Sequence, residues 1–184
     1  MKNNPGFGLL EIMIAVAIIG MVTATIVPNF ARRIPRVQRE NFINALNNLS
    51  QFARQHALIS NKIHKVVFDI TQRRAWIEQQ NGKDSTGEAT FAPIKSGSLR
   101  ATYSWEPQFV FQNFVIEGVD EMSRHGGGKK TEEVWFFIVP DGLAQEVTVN
   151  VADTKDTVNK RSRQIGLVLN PFTAAFKVYD EYQK

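Results

Sequence analysis

Apolar and polar residues follow two different patterns along the chain. From Phe7 to Val27 nearly every residue is apolar or small, and the only ionisable side chain in this run belongs to Glu11. At 1.5 Å per residue, a helix over the run would be about 31 Å long, which matches the hydrocarbon core of a bilayer. The first pattern therefore predicts a membrane-spanning helix over residues 7–28.

The second pattern is amphipathic and covers residues 29–61. Pro28 and Pro35 are expected to bend the helix or to interrupt it briefly, because each removes a backbone donor. Beyond them, apolar residues recur at three- and four-residue spacing, which is typical of a helix with one buried face. These apolar positions are Phe42, Ala45, Leu46, Leu49, Phe52, Ala53 and Leu58. We expect this half of the helix to lie against a folded domain and to end at Ser60-Asn61.

Residues 62–184 show the shorter alternations that are typical of strands. The predicted strands are 64–70, 73–79, 99–105, 109–117, 133–139, 144–151, 164–169 and 174–179. The sequence Pro140-Asp141-Gly142 is a strong turn signal and predicts a hairpin between the fifth and sixth of these strands. A long N-terminal helix packed on an antiparallel β domain of about eight strands makes an α+β fold.

The composition of the 184-residue chain is that of a globular protein, with 43% hydrophobic and 22% charged residues. The 13 Phe and 3 Trp residues predict an aromatic-rich core. The chain contains no cysteine, which excludes a disulfide, a thiolate nucleophile and a cysteine zinc site. The net charge of +4 is too small to indicate an anionic partner by itself.

Glu11 is an unusual residue for a membrane helix. A carboxylate at the bilayer centre costs about 2.5–3.5 kcal/mol on insertion scales and less near the end of a span, so it normally has a partner. Cleavage between Gly6 and Phe7 would create an ammonium group four residues from Glu11, about one helical turn away. The alternative is a plain signal anchor with Glu11 near the membrane surface. An ordinary secretory signal is excluded, because its apolar region is only about 7–15 residues long.

The sequence Gly6-Phe7-x-x-x-Glu11, followed by an apolar helix, resembles the class III signal sequence of type IV pilins and type II secretion pseudopilins. The resemblance implies that a prepilin peptidase removes the leader, residues 1–6, and N-methylates Phe7. It also implies that Phe7, Glu11 and Pro28 act in assembly, since Pro28 falls where the family commonly has a helix-bending proline. Gly8 departs from the Thr or Ser that is commoner in the family.

The order of elements narrows the resemblance to the GspH/FimT branch, which contains the H-type minor pseudopilins. The supporting segments are 45–58 before the first strand, 137–142, and 164–169. The resemblance implies a pilin-like minor pseudopilin of a type II secretion system, which helps to drive export of folded proteins. It would cross the bacterial inner membrane once, keep its C-terminal domain in the periplasm and enter the pseudopilus. The implied partners are the prepilin peptidase, other pseudopilins, inner-membrane lipid and the secretion machinery.

Two other interpretations remain open. The first is a minor type IV pilin of the FimT kind, which would take part in pilus priming or DNA uptake. The second is an unprocessed, signal-anchored periplasmic binding module. The absence of cysteine counts against a major pilin, because major pilins usually contain a C-terminal disulfide.

Four arginines follow the apolar run, at Arg32, Arg33, Arg36 and Arg39, whereas the leader contains only Lys2. The positive-inside rule would place the arginine side in the cytoplasm, while the resemblance places the following domain in the periplasm. We follow the resemblance, because the rule is a statistical bias. The arginines are then expected to contact anionic lipid headgroups or acids of adjacent subunits, and the alternative is a solvated helix face.

Residue patterns typical of catalysis or of a cofactor site are absent from the sequence. His56, His64 and His125 have no metal-ligand spacing, and the glycine-rich segment 126–131 lacks the spacing of a P-loop, which predicts a hairpin loop instead. The C-terminal acids form no dense cluster that would suit calcium. The sequence therefore predicts a protein that is not an enzyme and that holds no cofactor or metal.

A basic segment precedes the last two predicted strands. It contains Lys160, Arg161 and Arg163, and the order Lys-Arg-Ser-Arg loosely resembles the Gly-Arg-x-Arg element of DNA-binding members of the FimT-like branch. Such residues could contact phosphates. Because Asp153 and Asp156 dilute the charge, the composition favours a solvated loop over a DNA-binding surface.

Overall fold

The computed structural model describes residues 8–94, 101–123, 133–158 and 160–183, and the side chains of these residues apart from 22–34 and 158. The chain divides into two compact units, Met1–Gln38 and Arg39–Lys184. Its one described α-helix, α1 (Leu9–Ser60), contributes to both units. Glycine-rich residues 126–131, which were predicted to form a hairpin loop, lie outside the described residues.

The start of α1 is defined by Gly8, whose carbonyl accepts hydrogen bonds from the Glu11 and Ile12 N–H groups at 3.0 and 3.3 Å. The helix continues without a break through Pro28 and Pro35, so the predicted brief interruption does not occur. Across the described residues, no helix contains an apolar stretch long enough to span a membrane.

The second half of α1 has the predicted amphipathic character. Phe42, Leu46, Leu49 and Ala53 are buried, which confirms the predicted inner face. Leu58 is an exception, since 45% of it is exposed at the end of the helix. The helix ends at Ser60 as predicted, and the next residue is an asparagine in the left-handed region with φ 53°.

Ten strands are described, two more than the roughly eight that were predicted. They are β1 His64–Asp69, β2 Arg74–Lys83, β3 Ala89–Pro93, β4 Thr102–Ser104, β5 Phe109–Ile116, β6 Val119–Asp120, β7 Glu133–Ile138, β8 Val147–Val158, β9 Arg161–Asn170 and β10 Ala175–Tyr179. The sequence did not predict β3 and β6, because both are short and lack a run of alternating apolar residues.

The strands form two antiparallel sheets. The first has the order β3-β2-β1-β7, with β4 also paired to β2, and the second has the order β10-β9-β8-β5-β6. The predicted hairpin between β7 and β8 is therefore wrong. The turn at 140–142 exists, but it carries the chain from one sheet to the other, and only Ile138 and Ala144 form a bridge across it.

Packing of this turn against α1 explains why it does not close a hairpin. Gly142 has φ +84° and its carbonyl accepts a hydrogen bond from Arg54 Nε at 3.1 Å. A Cβ at this position would lie 3.1 Å from Leu58 Cδ2. The turn is thus packed against the end of the helix, and the strand that follows pairs with β5 and β9.

One core unites the second half of α1 with both sheets, and it is rich in aromatic residues as predicted. Phe42 of α1 stacks on Phe109 of β5 with ring centroids 4.3 Å apart. Phe68 of β1 in the first sheet lies 5.2 Å from Phe114 of β5 in the second sheet, centroid to centroid. Burial of such rings is the main source of stabilisation in a chain that has no disulfide.

Candidate functional site

The N-terminal half of α1 is apolar on all sides. Its large apolar side chains are exposed from Leu9, at 79%, to Met21, at 74%. Consecutive residues such as Ile12, Met13 and Ile14 are all exposed, so between Leu9 and Met21 the apolar surface runs around the helix rather than along one stripe. A helix of this kind is stable only when lipid or other helices cover it.

Glu11 is the one acid on this apolar helix surface. It is exposed in the first turn of α1, where the positive end of the helix dipole favours a carboxylate. Gly6 and Phe7, the predicted cleavage and methylation site, lie outside the described residues. Pro28 lies within the bounds of α1, and its side chain is outside the described set.

The four arginines that follow the apolar run all lie within α1. The side chains of Arg32 and Arg33 are outside the described set, and Arg36 is exposed. Arg39 donates a hydrogen bond from Nη1 to Asp156 Oδ2 of β8. Arg39 therefore has an internal partner in the β domain, which the predicted roles in lipid or subunit contact did not include.

Asp156 joins this arginine to the basic segment. Its Oδ2 also accepts a hydrogen bond from Arg163 Nε at 2.6 Å, and Arg163 Nη1 lies 3.5 Å from Asp180 Oδ1. Two guanidinium groups thus share one carboxylate, and all three side chains are mostly buried. Charge-assisted hydrogen bonds of this kind are stronger than neutral ones.

The basic segment is part of a long hairpin and not the loop that its composition favoured. β8 and β9 pair as far as Val158 and Arg161, with a register shift between Asp153 and Thr157. Lys160 occupies the turn with φ 63°, and both it and Arg161 are exposed. The hairpin arm was missed because its residues are polar on both faces and show no alternation.

Two histidines that are eight residues apart meet in the structure. His56 Nδ1 of α1 lies 2.8 Å from His64 Nε2 of β1, and His64 Nδ1 lies 2.9 Å from the Lys62 carbonyl oxygen. Because a carbonyl only accepts, His64 Nδ1 is the protonated nitrogen and His56 donates to Nε2. Burial lowers the pKa of His64, and the positive charges of His56 and Lys62 act in the same direction.

The C-terminal residues lie across the second sheet. The Asn150 side-chain amide donates to the Gln183 carbonyl at 2.7 Å and accepts from the Gln183 N–H at 2.9 Å. Gly166 leaves room for this segment, because a Cβ there would lie 2.3 Å from the Glu181 carbonyl oxygen. No motif in the sequence indicated either contact.

Potential metal ligands are dispersed in the described part of the chain, where no group of three His, Asp or Glu side chains could hold a metal ion. His125, the third histidine, lies outside the described residues. The geometry described above is that of packing, ion pairing and an exposed apolar helix.

The comparisons with known proteins agree with this geometry. Residues 1–27 match the model of the prokaryotic N-terminal methylation motif. A solved structure of the minor pseudopilin EpsH from the Type 2 Secretion System of Vibrio cholerae has a similar fold, with a TM-score of 0.51 and 11% sequence identity. The similarity covers 82% of this chain and 98% of that chain. No curated protein sequence matches the chain.

Two further solved structures match with lower scores. A crystal structure of EpsH from Vibrio cholerae has a TM-score of 0.46 at 9% identity, over 78% of this chain and 99% of that chain. The type IV minor pilin FimU from Pseudomonas aeruginosa has a TM-score of 0.42 at 12% identity, over 82% and 90% of the two chains.

The predicted resemblance to the type IV pilin-like proteins is confirmed by the N-terminal motif and by the fold. The chain has a pilin-like architecture, with a long N-terminal helix and antiparallel sheets. The neighbour with a TM-score above 0.5 is a minor pseudopilin.

Proposed function

We propose that the chain is a minor pseudopilin of a type II secretion system, similar to the H-type subunit. The prepilin peptidase would cut after Gly6 and N-methylate Phe7. The apolar run to Val27 would then anchor the subunit in the inner membrane, with its C-terminal domain in the periplasm. From there it would enter a short pseudopilus with the other pseudopilins.

The proposal is carried by one combination: an N-terminal methylation motif over residues 1–27 precedes a domain with the fold of a minor pseudopilin. The exposed apolar surface of α1 supports it, because lipid before assembly and neighbouring helices after assembly would each cover that surface. Glu11 would pair with the new ammonium group of Phe7 in a neighbouring subunit, and this pairing would set the register between helices.

Mass spectrometry of the membrane-extracted full chain tests the processing step. We expect loss of residues 1–6 and one added methyl group on Phe7 in a host with an active prepilin peptidase. A Gly6→Val variant is the matched control, because a branched side chain at the cleavage position should leave the leader in place. An intact N-terminus in the unsubstituted chain would refute the proposal.

Deletion of the gene separates secretion from the pilus alternative. If the chain is a minor pseudopilin, the deletion strain should fail to export folded proteins but should keep its surface pili and its motility. A minor type IV pilin gives the opposite result. Gene neighbourhood would give the same distinction.

The basic segment in the β8–β9 hairpin provides a test of the alternative that the chain is a minor type IV pilin acting in DNA uptake. Arg163 is paired with Asp156 and Asp180, so only Lys160 and Arg161 of the basic segment are exposed. Two exposed cations would release few counterions and would bind DNA weakly. We expect no retardation of double-stranded DNA by the detergent-solubilised chain at low salt, and a salt-dependent shift would favour the DNA-binding pilin.

A further inference from the structure

The β8–β9 hairpin continues beyond β5, the strand that pairs with β8 in the second sheet. β5 pairs with β8 as far as Asp153, whereas the last residues of β8 pair with β9, up to Val158 opposite Arg161. We call residues 154–163 the arm, and the residues at its turn the tip. The arm is thus a two-stranded extension of the sheet.

The arm runs along α1 towards the N-terminal end of the folded unit. Just before β8, the Gly142 carbonyl accepts a hydrogen bond from Arg54, near the C-terminal end of the helix. Further along β8, Asp156 accepts a hydrogen bond from Arg39, which is the first residue of the folded unit. β8 is therefore antiparallel to this part of α1. Lys160 in the turn is four residues past Asp156, about 13 Å further along the strand.

Charged side chains are sorted along the arm. At its base, Asp156 accepts hydrogen bonds from the guanidinium groups of Arg39 and Arg163. At its tip, Lys160 and Arg161 are both exposed. Lys155 is exposed as well, and no acid is exposed among the described residues of the arm. The tip therefore presents only positive charge.

Lys160 has a backbone conformation that lysine rarely adopts. Its φ of 63° lies in the left-handed region, which favours glycine and asparagine. Two-residue hairpin turns prefer Asn-Gly, whereas the sequence at positions 159–160 is Asn-Lys. The chain thus has a cation where glycine would be less strained, and strain of this kind is common at functional positions.

The anchor of the proposed function limits the distance between the arm and a membrane. Residues 28–38 separate Val27, at the end of the apolar run, from Arg39, and they are helical. At 1.5 Å per residue they span about 18 Å, which is an upper limit at any angle between anchor and folded unit. The headgroup layer covers about 5–7 Å of this distance. An arm that extends about 13 Å therefore has the length needed for its tip to reach the headgroups.

We propose that the tip of the arm, Lys160 and Arg161, contacts the phosphate groups of anionic lipids in the membrane that anchors the chain. Each Lys or Arg near an anionic membrane surface favours the contact about fivefold. Two cations are sufficient here, although they bind free DNA weakly, because the anchor keeps the tip at a high effective concentration near the lipid. The contact would hold the folded domain in one orientation before assembly. It rests on the proposed function only in that residues 7–27 anchor the chain in a bilayer.

Fluorescence quenching tests the contact in the full chain, which has no cysteine and can therefore be labelled at one introduced cysteine. Thr157→Cys places the dye on the arm, and Ser85→Cys, in the exposed turn after β2, is the matched control. The chain is reconstituted into phosphatidylcholine vesicles with or without phosphatidylglycerol, and both kinds contain a quencher attached to lipid headgroups. At low salt we expect at least about threefold more quenching of the Thr157→Cys dye with phosphatidylglycerol than without it. The Ser85→Cys dye should show no difference.

Charge substitutions test whether the tip itself makes the contact. Lys160→Gln combined with Arg161→Gln should remove most of the additional quenching that phosphatidylglycerol causes, because the tip then has no charge. Lys62→Gln combined with Lys83→Gln is the matched control, since it removes two exposed cations outside the arm. The control pair should leave the additional quenching unchanged.

Three results overturn the proposal. They are equal quenching of the Thr157→Cys dye in the two kinds of vesicle, additional quenching that survives the tip substitutions, and loss of the additional quenching when double-stranded DNA is added, which would assign the tip to nucleic acid. Flotation of the chain with phosphatidylcholine vesicles reports the anchor separately. A chain that floats without additional quenching contradicts the arm contact alone, whereas a chain that does not float contradicts the proposed function as well.

Discussion

His56 on α1 donates a hydrogen bond from Nδ1 to Nε2 of His64 on β1, over 2.8 Å. His64 is fully buried and its other ring nitrogen donates to the Lys62 carbonyl oxygen. The neutral form of His64 satisfies both contacts, whereas a second proton on its ring would place an N–H against the N–H of His56. In its neutral form His64 thus accepts from His56 and joins the end of the helix to the first sheet.

This arrangement predicts a loss of stability in mild acid. Burial lowers the pKa of His64 in the folded chain below its ordinary value of 6.5, so the unfolded chain binds a proton that the folded chain does not. The contribution of neutral His64 to the free energy of unfolding is complete above pH 6.5. It falls as the pH decreases below 6.5, by at most about 1.4 kcal/mol per pH unit. Urea unfolding of the solubilised chain at pH 7.5, 6.5 and 5.5 measures the slope.

The matched variant for this prediction is His64→Gln. A glutamine can donate to the Lys62 carbonyl and accept from His56, but it does not titrate. We expect the variant to lose part of the pH dependence while it keeps the fold. An unchanged slope would assign the pH dependence to other groups.

Gly166→Ala is expected to displace the C-terminal segment. The added Cβ would lie 2.3 Å from the Glu181 carbonyl oxygen and 2.8 Å from Gln183 Cγ. Asn150, which is buried, would then lose its two partners on Gln183, and the unfolding free energy should fall by about 1–3 kcal/mol. Gly82→Ala is the control, because its Cβ would meet nothing closer than 3.7 Å and should change stability by less than about 0.5 kcal/mol.

Arg163→Gln is expected to weaken the attachment of the β8–β9 hairpin. The change removes the 2.6 Å hydrogen bond to Asp156 and should lower the unfolding free energy by about 1 kcal/mol, less at high salt, because the pair is partly exposed. Arg161→Gln, two residues away and exposed, should change it by less than about 0.5 kcal/mol. Equal effects of the two substitutions in chemical denaturation would contradict the internal role of Arg163.

Glu11→Ala is expected to separate processing from assembly. The cleavage site precedes Glu11, so the leader should still be removed. Co-purification with the other pseudopilins should decrease severalfold, because the new N-terminal ammonium group would lack its carboxylate. Glu88→Ala, at an exposed turn after β2, should leave co-purification unchanged. Normal assembly of the Glu11 variant would show that the carboxylate of Glu11 is not needed for assembly.

Local patterns in the sequence predicted the parts of the fold that local physics determines. The period of Phe42, Leu46, Leu49 and Ala53 gave the buried face of α1, and Ser60-Asn61 gave its end. The bounds of β1 and β5 were each predicted to within one residue. The prepilin-type N-terminus could be recognised from the sequence, because its residues lie within one short segment.

Pairing between segments that are distant along the chain could not be predicted from the sequence. The turn at Gly142 looked like the end of a hairpin, yet packing of that turn against Leu58 of α1 sends β8 into another sheet. The polar arm of β8 and β9 looked like a loop, because a strand whose residues are polar on both faces has no apolar alternation.

The apolar helix with its single acid, the amphipathic helix that follows and most of the strands can be predicted locally, since each depends on neighbours along the chain. Long-range packing is what pairs Arg39 with Asp156, 117 residues away, brings His56 to His64 and places Gly166 beneath the C-terminal segment. Such contacts depend on which faces the folded sheets bring together, and no local period encodes them.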